Sequence, residues 1–227
     1  MSRTKTYLFA SVAAAVLATS LSACASKSSS AKAGAQPGGA SDVSCTYRTG
    51  NPPARNVGKP PSAASTVAAY TATLNTSQGA VTLKLNAAKA PCTVNSFVFL
   101  AGKKYFDGTT CHRLTTAGIF VLQCGDPTAT GGGGPGYQFA DENLKGATYP
   151  AGTVAMANAG PGTNGSQFFL VYKDTTLGPN YTPFGTIDTG LDVITKIAAA
   201  GSDESHGPGD GKPKLPVNIS HLTIATK

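Results

Sequence analysis

Apolar and polar side chains alternate along the two runs Tyr70–Asn75 and Ala80–Leu85. Val81, Leu83 and Leu85 share one face, and Ser77-Gln78-Gly79 separates the runs. A period of two on either side of a short turn predicts a hairpin. The period then changes. Pro91 opens a stretch in which Val94, Phe97, Val98 and Ala101 recur at spacings of three and four. This predicts a helix running on to Lys103 and Lys104, whose charges suit the carboxyl end of its dipole. Short β runs follow at Thr110–Thr115, Ile119–Cys124, Gly152–Ala157, Gln167–Tyr172, Pro183–Ile187 and Val217–Ile224. A second helix is predicted at Leu191–Ala199, with Leu191, Ile194 and Ile197 on one side. Thr128–Gln138 and Asn158–Ser166 read as a Gly-rich loop and a polar turn. Many short strands, two isolated helices and no strand–helix–strand rhythm predict a β-barrel with helical lids.

The first part of the chain has another character. Arg3 and Lys5 precede the apolar run Tyr7–Leu21, which ends in Leu21-Ser22-Ala23-Cys24. A basic start, a short apolar run and small residues before a cut predict an export signal over residues 1–23. The run is too short for a comfortable membrane span. Its last four residues resemble a bacterial lipobox, which implies that Cys24 becomes the first mature residue and carries lipid. A plain signal cut near Ala23 or Ala25, or an uncleaved anchor, are the alternatives. Residues 24–67 are rich in Ser, Ala, Gly, Pro and Lys. They bury too little to offset ordering entropy, so a lipidated flexible spacer is expected there and a folded domain over 68–227. The expected location is the cell membrane, lipid-anchored and facing outside the cytoplasm.

Composition narrows the function. Charged residues are 13% of the chain and the net charge is +7, which excludes a polybasic tail; no nucleic-acid partner is expected. A monomer is expected. With Cys24 lipidated, Cys45, Cys92, Cys111 and Cys124 remain, and an exported protein permits two disulfides among three pairings. Cys111 and Cys124 flank a tight hairpin, and pairing them leaves Cys45 with Cys92; free buried thiols are the alternative. Cys111-His112 has no CxxC partner and His206 and His221 lie in other contexts, so no metal site is expected. Gly131–Gly134 lacks the Lys-Ser/Thr of a phosphate loop, and Asn164-Gly165-Ser166-Gln167 is no nucleophile elbow. Asp141-Glu142 has no second carboxylate pair, which argues against glycoside hydrolysis.

One constellation remains. It comprises His112-Arg113-Leu114, Phe120 through Asp126, Asp141-Glu142-Asn143, Met156 through Phe169, and Phe184-Gly185. From about Tyr70 to the C-terminus the chain resembles the cyclophilins, peptidyl-prolyl cis-trans isomerases. The resemblance implies a closed eight-stranded antiparallel barrel capped by two helices, no cofactor, and proline-containing segments of exported proteins as substrates. It implies Arg113 as the catalytic arginine and Phe120, Val121, Phe169 and Leu177 as walls of a proline pocket. Gln123 and Asn158 would hold the substrate backbone, with Ala157 and Tyr181 lining the groove and His112 supporting the arginine from behind. Val121 stands where the family commonly has Met, and Tyr181 where His is frequent. A non-catalytic module that holds proline peptides at the cell envelope is the alternative reading.

Overall fold

The computed structural model describes residues 41–226; Cys24, the signal and the start of the spacer lie outside them. The described chain opens with three short strands, β1 (Asp42–Ser44), β2 (Arg48–Thr49) and β3 (Ala63–Ser65). The predicted hairpin follows as β4 (Ala69–Thr76) and β5 (Gly79–Asn86), and then α1 (Pro91–Gly102). Next come β6 (Thr109–Thr110), β7 (Arg113–Thr115), β8 (Val121–Cys124) and β9 (Tyr137–Gln138). The chain continues through β10 (Thr153–Met156), β11 (Phe168–Val171), β12 (Pro183–Thr189) and α2 (Leu191–Ala199), ending with β13 (Asp210–Gly211) and β14 (Asn218–Thr226).

The expected closed eight-stranded barrel does not form. Ten strands join in one curled antiparallel sheet, ordered β13-β7-β8-β11-β10-β12-β5-β4-β14-β6, and no ladder joins its two ends. It is an open half-barrel with two capping helices. The break lies within the run predicted as a single strand, Thr110–Thr115. Cys111 N–H donates to the Val217 carbonyl at 2.9 Å, whereas His112 N–H donates to the Gln123 carbonyl at 3.0 Å. The backbone changes partner there, so β6 finishes one edge on β14 while β7 starts again on β8.

Alternation along the central strands sorts side chains into two clusters. Leu114, Leu122, Cys124, Phe168, Leu170, Val154 and Met156 enter the main core. There Phe97 of α1 packs against Phe106, Phe168 and Phe184, with ring centroids 5.1 to 5.3 Å apart. Val121, Phe169, Val171 and Ala155 point the other way and form a smaller cluster with Tyr149. This second covering explains why β10 and β11 read as near-continuous apolar runs, since both of their faces are buried.

From Ser41 onward, the stretch expected as spacer is part of the folded domain. β1 pairs with β3, β2 pairs with β9, and Cys45, Tyr47 and Ala64 are buried in the main core. The Cys45–Cys92 disulfide ties this segment to α1, with Cα atoms 5.5 Å apart, and closes a loop spanning 47 residues. On chain-entropy grounds a loop of that length stabilises by about 4 kcal/mol. Cys111–Cys124 is the second bridge, with Cα atoms 4.0 Å apart, so both expected pairings are present.

Candidate functional site

The site is built on one row of paired residues. Arg113 on β7 lies opposite Gln123 on β8, Gln123 opposite Phe169 on β11, and Phe169 opposite Ala155 on β10. Directly paired residues share a face, so the cation, the amide and the aromatic ring rise from one side of the sheet. A cavity of about 140 Å³ sits over this row, lined by Arg113, Ile119, Val121, Gln123, Ala157, Asn158, Phe169, Leu177 and Tyr181. Eight sequence-predicted residues meet there. Phe120 does not line the cavity: its ring packs against Tyr172, with the Lys173 ammonium 4.4 Å from its centroid. Ile119 lines it instead. Counting back in twos from Gln123 gives Val121 and then Ile119, although β8 itself begins only at Val121.

Hydrogen bonds fix the polar members. Arg113 donates from Nε and Nη2 to Asp210, at 2.8 and 2.6 Å, and its Nη1 lies 3.5 Å from Gln123 Oε1. Gln123 Nε2 donates to Gln167 Oε1 at 2.8 Å, and Gln167 Nε2 donates to the carbonyls of Gly131 and Gly133. The Asn158 amide is spent within the fold, donating to the Asn180 carbonyl at 2.8 Å and accepting from Gly160 N–H. Tyr149 holds Tyr181 at both ends: its hydroxyl donates to the Tyr181 carbonyl at 2.8 Å and accepts from the Tyr181 N–H.

A second cavity of about 280 Å³ continues from the first, sharing Gln123, Ala157 and Asn158. Its floor is the Gly131–Gly136 loop, and Asn51 of the N-terminal segment lies on its rim. Asp126 organises that loop. Its buried carboxylate accepts from the Thr128, Thr130, Gly131 and Gly133 N–H groups at 2.7 to 3.1 Å, and from the Thr128 hydroxyl. Burial pushes the carboxyl up, but these donors outweigh it and leave it below the usual aspartate value. A Cβ at Gly133 would run into the Asp126 carboxylate, so only glycine permits the approach.

His112 lies behind the site, 6% exposed, with neither ring nitrogen partnered. Burial holds its imidazole below the usual histidine range; the Asp126 carboxylate offsets this in part and the Arg113 charge adds to it. A third cavity, of about 570 Å³, lies between Thr66–Ala69, Asn86–Ala88 and Asn143–Thr148 and contains no sequence-predicted site residue.

The apolar side chains of the first cavity sit beside one guanidinium, and the space adjoins a larger cavity of mixed lining. The molecule is thus of a class defined by a curled β-sheet that carries its site on one face. Comparison with known proteins makes the class a family. The family described as "Cyclophilin type peptidyl-prolyl cis-trans isomerase/CLD" matches residues 71–224. The Mycobacterium leprae protein named "Probable peptidyl-prolyl cis-trans isomerase B" is 47% identical over 199 residues, covering 80% of this chain and 67% of that protein. The Mycobacterium tuberculosis protein of the same name is 52% identical over 163 residues, 66% of this chain and 52% of that one. The chain therefore spans about half to two-thirds of the length of these curated relatives. The crystal structure of a Cryptosporidium parvum cyclophilin-type peptidyl-prolyl cis-trans isomerase superposes with a TM-score of 0.62 at 29% identity, covering 70% of this chain and 99% of that one. The chain belongs to the cyclophilin-type peptidyl-prolyl cis-trans isomerase family, and its sheet domain is an isomerase domain of that family.

Proposed function

We propose that the protein rotates X-Pro peptide bonds in exported proteins from a lipid anchor on the cell membrane, with Arg113 stabilising the twisted amide. The observation that carries this reading is the shared cavity: a fixed guanidinium and an apolar cup within one small space. Rotation about X-Pro faces a barrier near 20 kcal/mol because the amide is conjugated. In the twisted state conjugation is lost, and the prolyl nitrogen becomes a better hydrogen-bond acceptor. A donor held at that nitrogen stabilises the twisted state above the planar ones, which lowers the barrier. Arginine suits the task because it stays charged and presents a rigid planar fork.

The other residues take complementary parts. Ile119, Val121, Phe169, Leu177 and Tyr181 hold the ring while the carbonyl side turns. Gln123 retains a free amide proton for the substrate backbone, since only one of its two is engaged by Gln167. Ala157 and Asn158 form the wall between the two cavities. His112 takes no proton-transfer step and supports the Arg113 strand from inside. Export is supported by the lipobox-like Leu21-Ser22-Ala23-Cys24 and by two disulfides among the other four cysteines. Turnover of a proline tetrapeptide tests the reading: acceleration of cis-to-trans exchange is expected, and binding without acceleration would favour the holding module.

A further inference from the structure

We propose that Asp210 is a positioning residue for the isomerase reaction, locking the Arg113 guanidinium so that Nη1 faces the proline cavity. The proposal rests on the reading of Arg113 as the catalytic donor. Asp210 lies outside the cavity lining and 97 residues further along the chain. It occupies the edge of the guanidinium formed by Nε and Nη2, at 2.8 and 2.6 Å. The opposite corner, Nη1, is left toward Gln123 and the cavity. Without that clamp the long side chain of a partly exposed arginine is free to change rotamer and carry the donor away from the cavity.

The surroundings are built to hold this carboxylate still. β13 pairs with β7 so that Asp210 faces Thr115, placing Asp210 diagonally from Arg113 on the same face. Thr116 N–H donates to the Gly209 carbonyl at 2.7 Å. Asp210 N–H donates to the Gly207 carbonyl and the Asp210 carbonyl accepts from His206 N–H, which closes a tight turn. Behind the turn, Asp203 accepts from the Ser205 and Lys212 N–H groups. A Cβ at Gly211 would strike the Asp203 carboxylate and the Glu204 and Ser205 backbone nitrogens, so the turn closes only over glycine. Two side chains face the carboxylate: the Arg113 cation, and the half-exposed His206 ring at 3.6 Å from Oδ1. Hydrogen bonds from Arg113, only partly offset by burial, keep the carboxyl below the usual aspartate value, so it is ionised at neutral pH.

A double-mutant cycle on the full chain tests the assignment, with tetrapeptide isomerisation and thermal unfolding as readouts. Asp210→Ala is expected to lower kcat/KM at least about fivefold, mainly through kcat, with KM within about twofold. Asp210→Glu keeps the charge and should recover part of the loss. In an Arg113→Ala background, Asp210→Ala should cost nothing further, because it acts only through the arginine. If Asp210→Ala does not fold, the isosteric Asp210→Asn takes its place in the cycle. Wild-type kcat/KM in a folded Asp210 variant, beside an impaired Arg113→Ala, overturns the inference and leaves the reading of Arg113 standing. So does an equal loss in both backgrounds. Wild-type kcat/KM in Arg113→Ala removes the reading of Arg113 itself.

Discussion

His112 and Asp126 are buried polar residues under one loop, and they meet opposite conditions. Asp126 gathers four backbone donors and a hydroxyl, whereas His112 has no partner for either nitrogen. An unpartnered buried imidazole is tolerable only when neutral, and its folded-state pKa is lowered from an ordinary 6.5. Below that pH the unfolded chain takes up a proton that the folded chain refuses. Stability should therefore fall as pH drops from about 6.5 toward the depressed folded value, and then level off. Asp126 and Asp210, both held below the usual 3.8, begin to lose their contributions only as pH falls through that value, below the point where the His112 effect begins. Urea denaturation at stepped pH checks this: the slope near pH 6 should vanish in His112→Leu. Of these residues the motif resemblance marked His112 as a support, but the role of Asp126 was not legible. A carboxylate's donors depend on how the chain folds back, and spacing along the sequence does not encode that. Asp210 was illegible for the same reason, since no periodicity links a turn residue to an arginine on a distant strand.

Among the elements, the long hairpin and both helices were legible because each spans several periods of its pattern. The two- and three-residue strands β1, β2, β3, β9 and β13 were not, because alternation needs more positions than they have. What folds the N-terminal segment onto the domain is tertiary: the Cys45–Cys92 bridge, and the Tyr47 hydroxyl donating to the Cys92 carbonyl at 2.8 Å. The start of α1 also depends on a distant residue. Ala90 offers no capping side chain, and Glu142 supplies the cap instead. Its carboxylate accepts from Cys92 N–H at 3.0 Å, Thr93 N–H at 2.8 Å and the Thr93 hydroxyl at 2.7 Å. Its charge also favours the positive end of the helix dipole. Glu142→Ala should lower stability by about 1 to 2 kcal/mol, with the urea midpoint shifted and the m-value unchanged.

At the scale of the molecule, a mainly β fold with two helices followed from pattern alone, but closure of the sheet did not. Each strand's periodicity is local and says nothing of whether the two edges of the sheet, β13 and β6, pair with each other. Among the described residues no helix is long and apolar enough to cross a membrane. The proposed attachment rests on Cys24, where two acyl chains would give firm binding and one only marginal binding. Intact mass of the protein taken from its native membrane should match a chain that begins at Cys24 and carries acyl mass. A different first residue, or no lipid, contradicts the anchor. The proposed isomerase mechanism rests on Arg113, and one comparison tests it most directly: kcat/KM for a proline tetrapeptide in wild type and in Arg113→Ala, with circular dichroism confirming that both are folded. A loss of at least about tenfold is expected, on the order of 1.4 kcal/mol of transition-state stabilisation. A folded Arg113→Ala variant with wild-type kcat/KM would contradict it.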